Sequence, residues 1–132
     1  MDAVDKVAWV HTKDGRVLST RSRGKDVYYL PGGKREVGES DEACLRREIG
    51  EELAVWLKPG TLRSLGTFEA QAHGKADGAK IQMACYAADY DGELRASSEI
   101  EEYVWLTYAD RDRCSPVDQI IFDWLHDRGE LR

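Results

Sequence analysis

The chain has 132 residues, of which 42% are hydrophobic and 33% are charged, and its formal net charge is −6. This length and composition predict one soluble domain, residues 1–132, with no room for a second. Clustered Lys and Arg hold long nucleic acids and anionic membranes, so the acidic balance argues against both partners. No apolar run approaches the roughly 20 residues that cross a bilayer. Three scattered cysteines and the lack of a signal peptide predict a cytoplasmic protein without disulfides.

Strand signals dominate the first third of the chain. The stretch 4–11 is rich in β-branched and aromatic residues, and the Asp-Gly pair within 13–16 is typical of a hairpin turn. We expect the partner strand over 17–21. A further short strand is expected over 27–30, with Pro31-Gly32-Gly33 ending it.

A helix is predicted from the N-cap Ser40, because Leu45, Ile49 and Leu53 recur at i, i+4 and i+8 and form one apolar stripe. Pro59-Gly60 stops the chain after this helix.

The second half predicts strands over 62–72, 81–90 and 103–106, with a loop at 74–80 and a terminal helix over 116–126. Strands with one internal and one terminal helix predict an α+β fold or mixed sandwich.

Three carboxylates share a second face of the helix that begins at Ser40. Glu48 lies three residues before Glu51 and four before Glu52, so the three side chains project from neighbouring positions and repel one another. A solvated acidic face is the commoner meaning of such a pattern. The alternative is a site for Mg²⁺ or Mn²⁺, which prefer hard oxygen ligands.

The spacing around these acids distinguishes the two alternatives. Gly33 is followed after five residues by Glu39, and after seven more by Arg47-Glu48-Ile49-Gly50-Glu51-Glu52-Leu53-Ala54-Val55. This stretch resembles the Nudix hydrolase signature, Gly-x5-Glu-x7-Arg-Glu-U-x-Glu-Glu-x-Gly-U, in which U is bulky and aliphatic. One position departs, since Ala54 stands where the family has the glycine that ends the helix. So many matches are far more specific than a lone glycine-rich motif.

The resemblance implies the Nudix fold, a mixed β-sheet sandwiched between α-helices with a catalytic loop-helix-loop. It also implies Mg²⁺-dependent hydrolysis, with Mn²⁺ as a substitute, of a nucleoside diphosphate linked to another group. The implied metal ligands and catalytic groups are Glu48, Glu51, Glu52 and the Gly32 carbonyl, with Glu48 the favoured base and Arg47, Glu39 and Gly33 as structural partners. In some family members a distal glutamate is the base instead.

The acidic segment 99–102 holds one more candidate. MutT-type members of the family place a metal-associated glutamate shortly before a strand with a tryptophan, and Glu99 lies six residues before Trp105. A charged turn is an equally good interpretation. Glu99 is the first candidate in this segment, and Glu102 is the second.

Candidate substrate contacts are less specific. Arg21, Arg23 and Lys25 lie where the family often places a phosphate-contacting base, and Arg21 or Arg23 is favoured.

Tyr28 and Tyr29 precede the glycine loop on opposite sides of the strand, so that one of them could face a base. Asp118 or Gln119 begins the terminal helix, where MutT-type enzymes can read the base. Each candidate also has an ordinary interpretation: a solvated charge for the basic residues, a packed ring for the tyrosines, and a polar first helical turn for Asp118 or Gln119.

The compact length favours a MutT-type enzyme that converts a (deoxy)nucleoside triphosphate to a nucleoside monophosphate and pyrophosphate. An oxidised nucleotide such as 8-oxo-dGTP is one candidate substrate. The alternatives are another Nudix substrate (a dinucleoside polyphosphate, nucleotide sugar or ADP-ribose) or a non-catalytic nucleotide sensor. The expected partner is a small nucleotide, and the resemblance also admits a homodimer.

Overall fold

The computed structural model describes residues 3–71 and 80–132. Within them lie nine strands, two α-helices and a 3₁₀ helix at Tyr108–Arg113. The strands are β1 (Ala3–Trp9), β2 (Thr12–Lys13), β3 (Arg16–Ser22), β4 (Gly32–Lys34), β5 (Trp56–Leu57), β6 (Arg63–Gln71), β7 (Lys80–Ala87), β8 (Tyr90–Asp91) and β9 (Ile100–Leu106). The helices are α1 (Asp41–Leu53) and α2 (Pro116–Asp127). Neither has the length and apolar character needed to cross a membrane.

The strands form two larger sheets and one short pair. The main sheet is mixed and has the order β4-β1-β7-β6, in which β1 and β7 run parallel and the other neighbours antiparallel. The second sheet, β2-β3-β9, is antiparallel, and β5 pairs with β8.

Alternate residues of β1 face two separate cores, because successive side chains of a strand point to opposite faces. Val7 and Trp9 pack in the core that contains the apolar stripe of α1. Val4 and Ala8 pack in the core that contains Ile121 of α2. The main sheet therefore lies between the two helices, which confirms the predicted α+β fold.

Two predicted features of the first third are wrong in detail. The short strand lies over Gly32–Lys34 rather than 27–30, where only isolated bridges form. The cause is Gly32, whose φ of 148° and lack of a side chain let β4 approach β1, since a Cβ there would overlap the Val7 carbonyl oxygen. Strand β3 pairs with β2 and β9 rather than with β1.

The hairpin turn is confirmed, with Asp14 and Gly15 at φ of 55° and 77°. The predicted loop 74–80 lies outside the described residues except for Lys80, which begins β7.

Candidate active site

Local sequence fixes both ends of α1. The Ser40 hydroxyl accepts a hydrogen bond of 3.1 Å from the Ala43 N–H and caps the first turn. At the other end Ala54 adopts the left-handed conformation, with φ 58° and ψ 30°, and its N–H donates to the Gly50 carbonyl. The residue that departs from the Nudix signature thus keeps the backbone geometry of the usual glycine.

Arg47 ties α1 to the loop before it. Its guanidinium donates to both carboxylate oxygens of Glu39, at 2.7 and 2.8 Å, and to Lys34 O at 3.2 Å. Glu39 also accepts the Glu36 N–H at 2.7 Å. These donors, Arg47 first, lower the pKa of Glu39 to about 2. We call this pair the Glu39–Arg47 brace, and it holds the glycine loop beside the helix.

The three helix carboxylates lie in different environments. The Glu51 side chain is 54% exposed and that of Glu48 is 16% exposed, whereas the whole Glu52 residue is only 5% exposed. Arg47 donates to Glu48 Oε1 at 2.8 Å, and the Gly32 N–H donates to Glu52 Oε1 at 3.4 Å. Burial, together with the neighbouring Glu48 carboxylate, raises the pKa of Glu52 to about 9.

Gly33 makes room for Glu48. A Cβ at Gly33 would lie 2.5 Å from the Glu48 carboxyl carbon and 2.6 Å from one of its oxygens. Any side chain at this position would therefore displace the carboxylate, which gives a physical reason for glycine here.

A cleft of about 280 Å³ opens beside this helix, between the main sheet and β3-β9. Carboxylates, cations and apolar groups all contribute to its lining. Its lining includes Lys6, Lys25, Tyr29, Glu52, Met83 and Glu99.

The donor chemistry of this corner fits a divalent cation. Glu48 and Glu52 are close enough to raise the pKa of Glu52, and a cation beside them would remove the cost of ionising both. All candidate donors are oxygens, as Mg²⁺ and Mn²⁺ require. Within residues 3–71 and 80–132, however, no three acidic, His or Cys side chains are already arranged around one point. The residues therefore fit a cation in donor type, and binding one would require their side chains to rearrange.

The structure separates the two candidates of the acidic segment. Glu99 lines the cleft with Glu52, and the Ser98 hydroxyl donates to it at 2.6 Å, which lowers its pKa. Glu102 is engaged elsewhere, since it accepts the Arg21 Nε and Nη2 groups at 2.9 and 2.7 Å and the Tyr28 hydroxyl at 3.3 Å.

The favoured substrate contacts lie outside the cleft lining. Arg21 is held by Glu102, and Arg23 by Ser98 O at 2.6 Å and Glu101 at 3.4 Å. Tyr28 is buried, and it is the next residue, Tyr29, that lines the cleft.

Asp118 is fully buried and accepts the Leu30 N–H at 2.7 Å, and burial raises its pKa to about 7. It is thus neither a solvated first-turn residue nor exposed on the cleft surface, and its role in substrate binding stays a prediction.

Sequence reasoning missed Lys6 and did not favour Lys25, and both lysines line the cleft. Lys25 carried no distinguishing signal, because it lies in a polar stretch. Lys6 did carry one. It interrupts the apolar positions Val4 and Ala8 on one face of β1, where a charged residue is unexpected.

Comparisons with known proteins agree with this geometry. A family model described as NUDIX domain matches residues 3–125. A MutT-like protein of Streptomyces ambofaciens is 27% identical over 107 residues, which span 81% of this chain but only 65% of that protein's length.

Solved structures show the same fold. The E. coli ORF135 protein superposes with a TM-score of 0.72 at 24% identity, covering 93% of this chain and 88% of that one. A MutT NUDIX hydrolase from Burkholderia pseudomallei gives a TM-score of 0.68 at 24% identity, covering 83% and 86% of the two chains. Since the family match runs over nearly the whole chain and includes every motif residue from Gly33 to Val55, the chain belongs to the NUDIX domain family.

Proposed function

We propose that this chain is a metal-dependent Nudix pyrophosphohydrolase that acts on a small nucleotide. The observation that carries this proposal is the meeting of Glu48 and Glu52 with the glycine loop beside the cleft. Two carboxylates held this closely repel each other, which lowers the stability of the folded protein. A bound cation that takes part in the reaction explains why they lie together.

Glu48, Glu51, Glu52 and the Gly32 carbonyl would hold Mg²⁺, or Mn²⁺ in its place. When bound, the ion neutralises charge on pyrophosphate oxygens and lowers the pKa of a water. Glu99 lies across the same cleft and is the candidate for a further ligand or a distal base.

Two residues of the chain have roles in the proposed proton transfer: Glu48 accepts the proton of the attacking water, and Arg47 positions Glu48. Arg47 holds Oε1 of Glu48, which leaves the second oxygen as the proposed acceptor of the proton from the attacking water. The Glu39–Arg47 brace keeps that carboxylate in place, so Arg47 acts as a positioning residue.

The proposed substrate is a (deoxy)nucleoside triphosphate, which water converts to a nucleoside monophosphate and pyrophosphate. An oxidised nucleotide such as 8-oxo-dGTP belongs to this class. Dinucleoside polyphosphates, nucleotide sugars and ADP-ribose are the alternatives that would use the same helix. Non-catalytic sensors often lack motif carboxylates, and all are present here, which favours catalysis.

A panel of these substrates, incubated with Mg²⁺ and with the products resolved, tests the proposal. We expect turnover of at least one nucleotide, and a loss of roughly a hundredfold or more in Glu51→Gln and Glu52→Gln. Glu101→Gln is the matched control, because Glu101 is exposed and does not line the cleft. If none of the substrates in the panel is hydrolysed, the result would contradict an enzymatic role.

A further inference from the structure

Lys6 occupies an inward-facing position of the main sheet. Its neighbours on the same face of β1, Val4 and Ala8, pack toward α2, and its register partner on β7, Met83, is buried in the same core. The methylene chain of a lysine at such a place can pack on apolar neighbours, but its ammonium loses hydration. It therefore needs a compensating partner.

The described part of the chain supplies no ionic partner for Lys6. None of its carboxylates lies within ion-pair distance of the ammonium, and the contact that Lys6 makes is with the Tyr29 ring, 5.9 Å from its centroid. Its register partner on β4 is another cation, Lys34. Burial is the main cause that lowers the pKa of Lys6, and the Lys34 charge lowers it further. This shift is opposed, without an ion pair, by the more distant charges of Asp118, Glu52 and Glu48.

The part of the cleft around Lys6 suits a planar ring. Tyr29, Leu30 and Met83 line it with aromatic and apolar surface. An ammonium group has three donors and no acceptor, so the atom placed against Lys6 must be an acceptor. A carbonyl oxygen on a ring meets this requirement, whereas an exocyclic amino group does not.

We propose that Lys6 selects nucleobases that carry an oxo group over those that carry an amino group at the same ring position. This inference rests on the proposed function for the identity of the ligand as a nucleotide. It predicts a preference for hypoxanthine over adenine and for uracil over cytosine. Within each pair the bases differ in this oxo or amino group and in the ring proton that accompanies it.

Binding of the monophosphates IMP, AMP, UMP and CMP, titrated in the presence of Mg²⁺, tests this selection apart from hydrolysis, because a monophosphate has no anhydride bond to cleave. We expect the wild-type protein to bind IMP over AMP, and UMP over CMP, by about tenfold or more, as for a hydrogen bond to a charged donor. Lys6→Met keeps the unbranched chain, removes the donors and should bring both ratios near one. Lys13→Met, in the exposed β2 hairpin, should keep the wild-type ratios.

Two outcomes would overturn the assignment. Unchanged ratios in Lys6→Met would show that the ammonium does not contact the base. An equal loss of affinity for all four ligands would show that Lys6, together with Lys34, holds phosphate. Because the titration needs no turnover, a protein that binds selectively but hydrolyses nothing would contradict the proposed function alone.

Discussion

Ala54 is the residue at which this chain departs from the Nudix signature, and its backbone stores strain. A residue with a side chain pays about 1–2 kcal/mol in the left-handed region, which glycine avoids. Ala54 adopts this conformation at the end of α1, where its N–H donates to the Gly50 carbonyl.

We therefore predict that Ala54→Gly raises the free energy of unfolding by about 1 kcal/mol. Chemical denaturation of both proteins measures the change. Ala43→Gly, at an exposed position inside α1, is the matched control and should instead destabilise the protein. A destabilised Ala54→Gly variant would show that the strain is absent.

Single residues also mark the limit of what the sequence could predict. The spacing of Glu48, Glu51 and Glu52 placed them on one helix face, but only packing of the helix against the sheet makes Glu52 buried and Glu51 exposed. Similarly, a two-residue alternation puts Tyr28 and Tyr29 on opposite sides without showing which one faces the cleft.

At the scale of elements, the Glu39–Arg47 brace links pH to stability. The pKa of Glu39 is about 2 in the folded protein, below its usual value of 4.5, so Glu39 binds fewer protons in the folded state than in the unfolded state. Its contribution is complete above the usual value and is lost as the pH falls through about 2.

We predict that Glu39→Gln makes the free energy of unfolding less dependent on pH between 4.5 and 2 than in the wild-type protein. Urea denaturation at several pH values measures this difference. Glu93→Gln, an exposed acid outside any ion pair in the described residues, should follow the wild-type curve. If the free energy of unfolding of Glu39→Gln and that of the wild-type protein depend on pH in the same way, ionised Glu39 does not stabilise the fold through the Glu39–Arg47 brace.

The helices, which have signals within a short stretch of sequence, could be predicted from the sequence, whereas the pairing of the strands could not. Ser40, the apolar stripe and Pro116 fix the two helices within short stretches of sequence, and both formed where expected. The pairing of β3 with β9 joins residues more than 75 positions apart, and the β1–β4 approach depends on Gly32. No local pattern encodes such contacts.

At the scale of the whole molecule, the net negative charge comes from two segments of the chain, and each segment supplies one carboxylate to the cleft, Glu52 and Glu99. Residues 33–55 hold seven acids against four bases, and Glu99, Glu101 and Glu102 add three more. Together these account for the whole net charge of −6. In the proposed function, the acidity that argues against a long polyanion would hold a cation, and that cation would permit a small phosphate-bearing ligand to bind.

The central claim, that these carboxylates hold a divalent cation, needs no knowledge of the substrate to be tested. Titration of the wild-type protein with Mn²⁺, followed by electron paramagnetic resonance of the free ion, is the most direct measurement. We predict saturable binding that is weakened at least tenfold in Glu52→Gln and in Glu51→Gln but is unchanged in Glu101→Gln. Equal Mn²⁺ binding by all four proteins, or no binding by the wild type, would contradict the account.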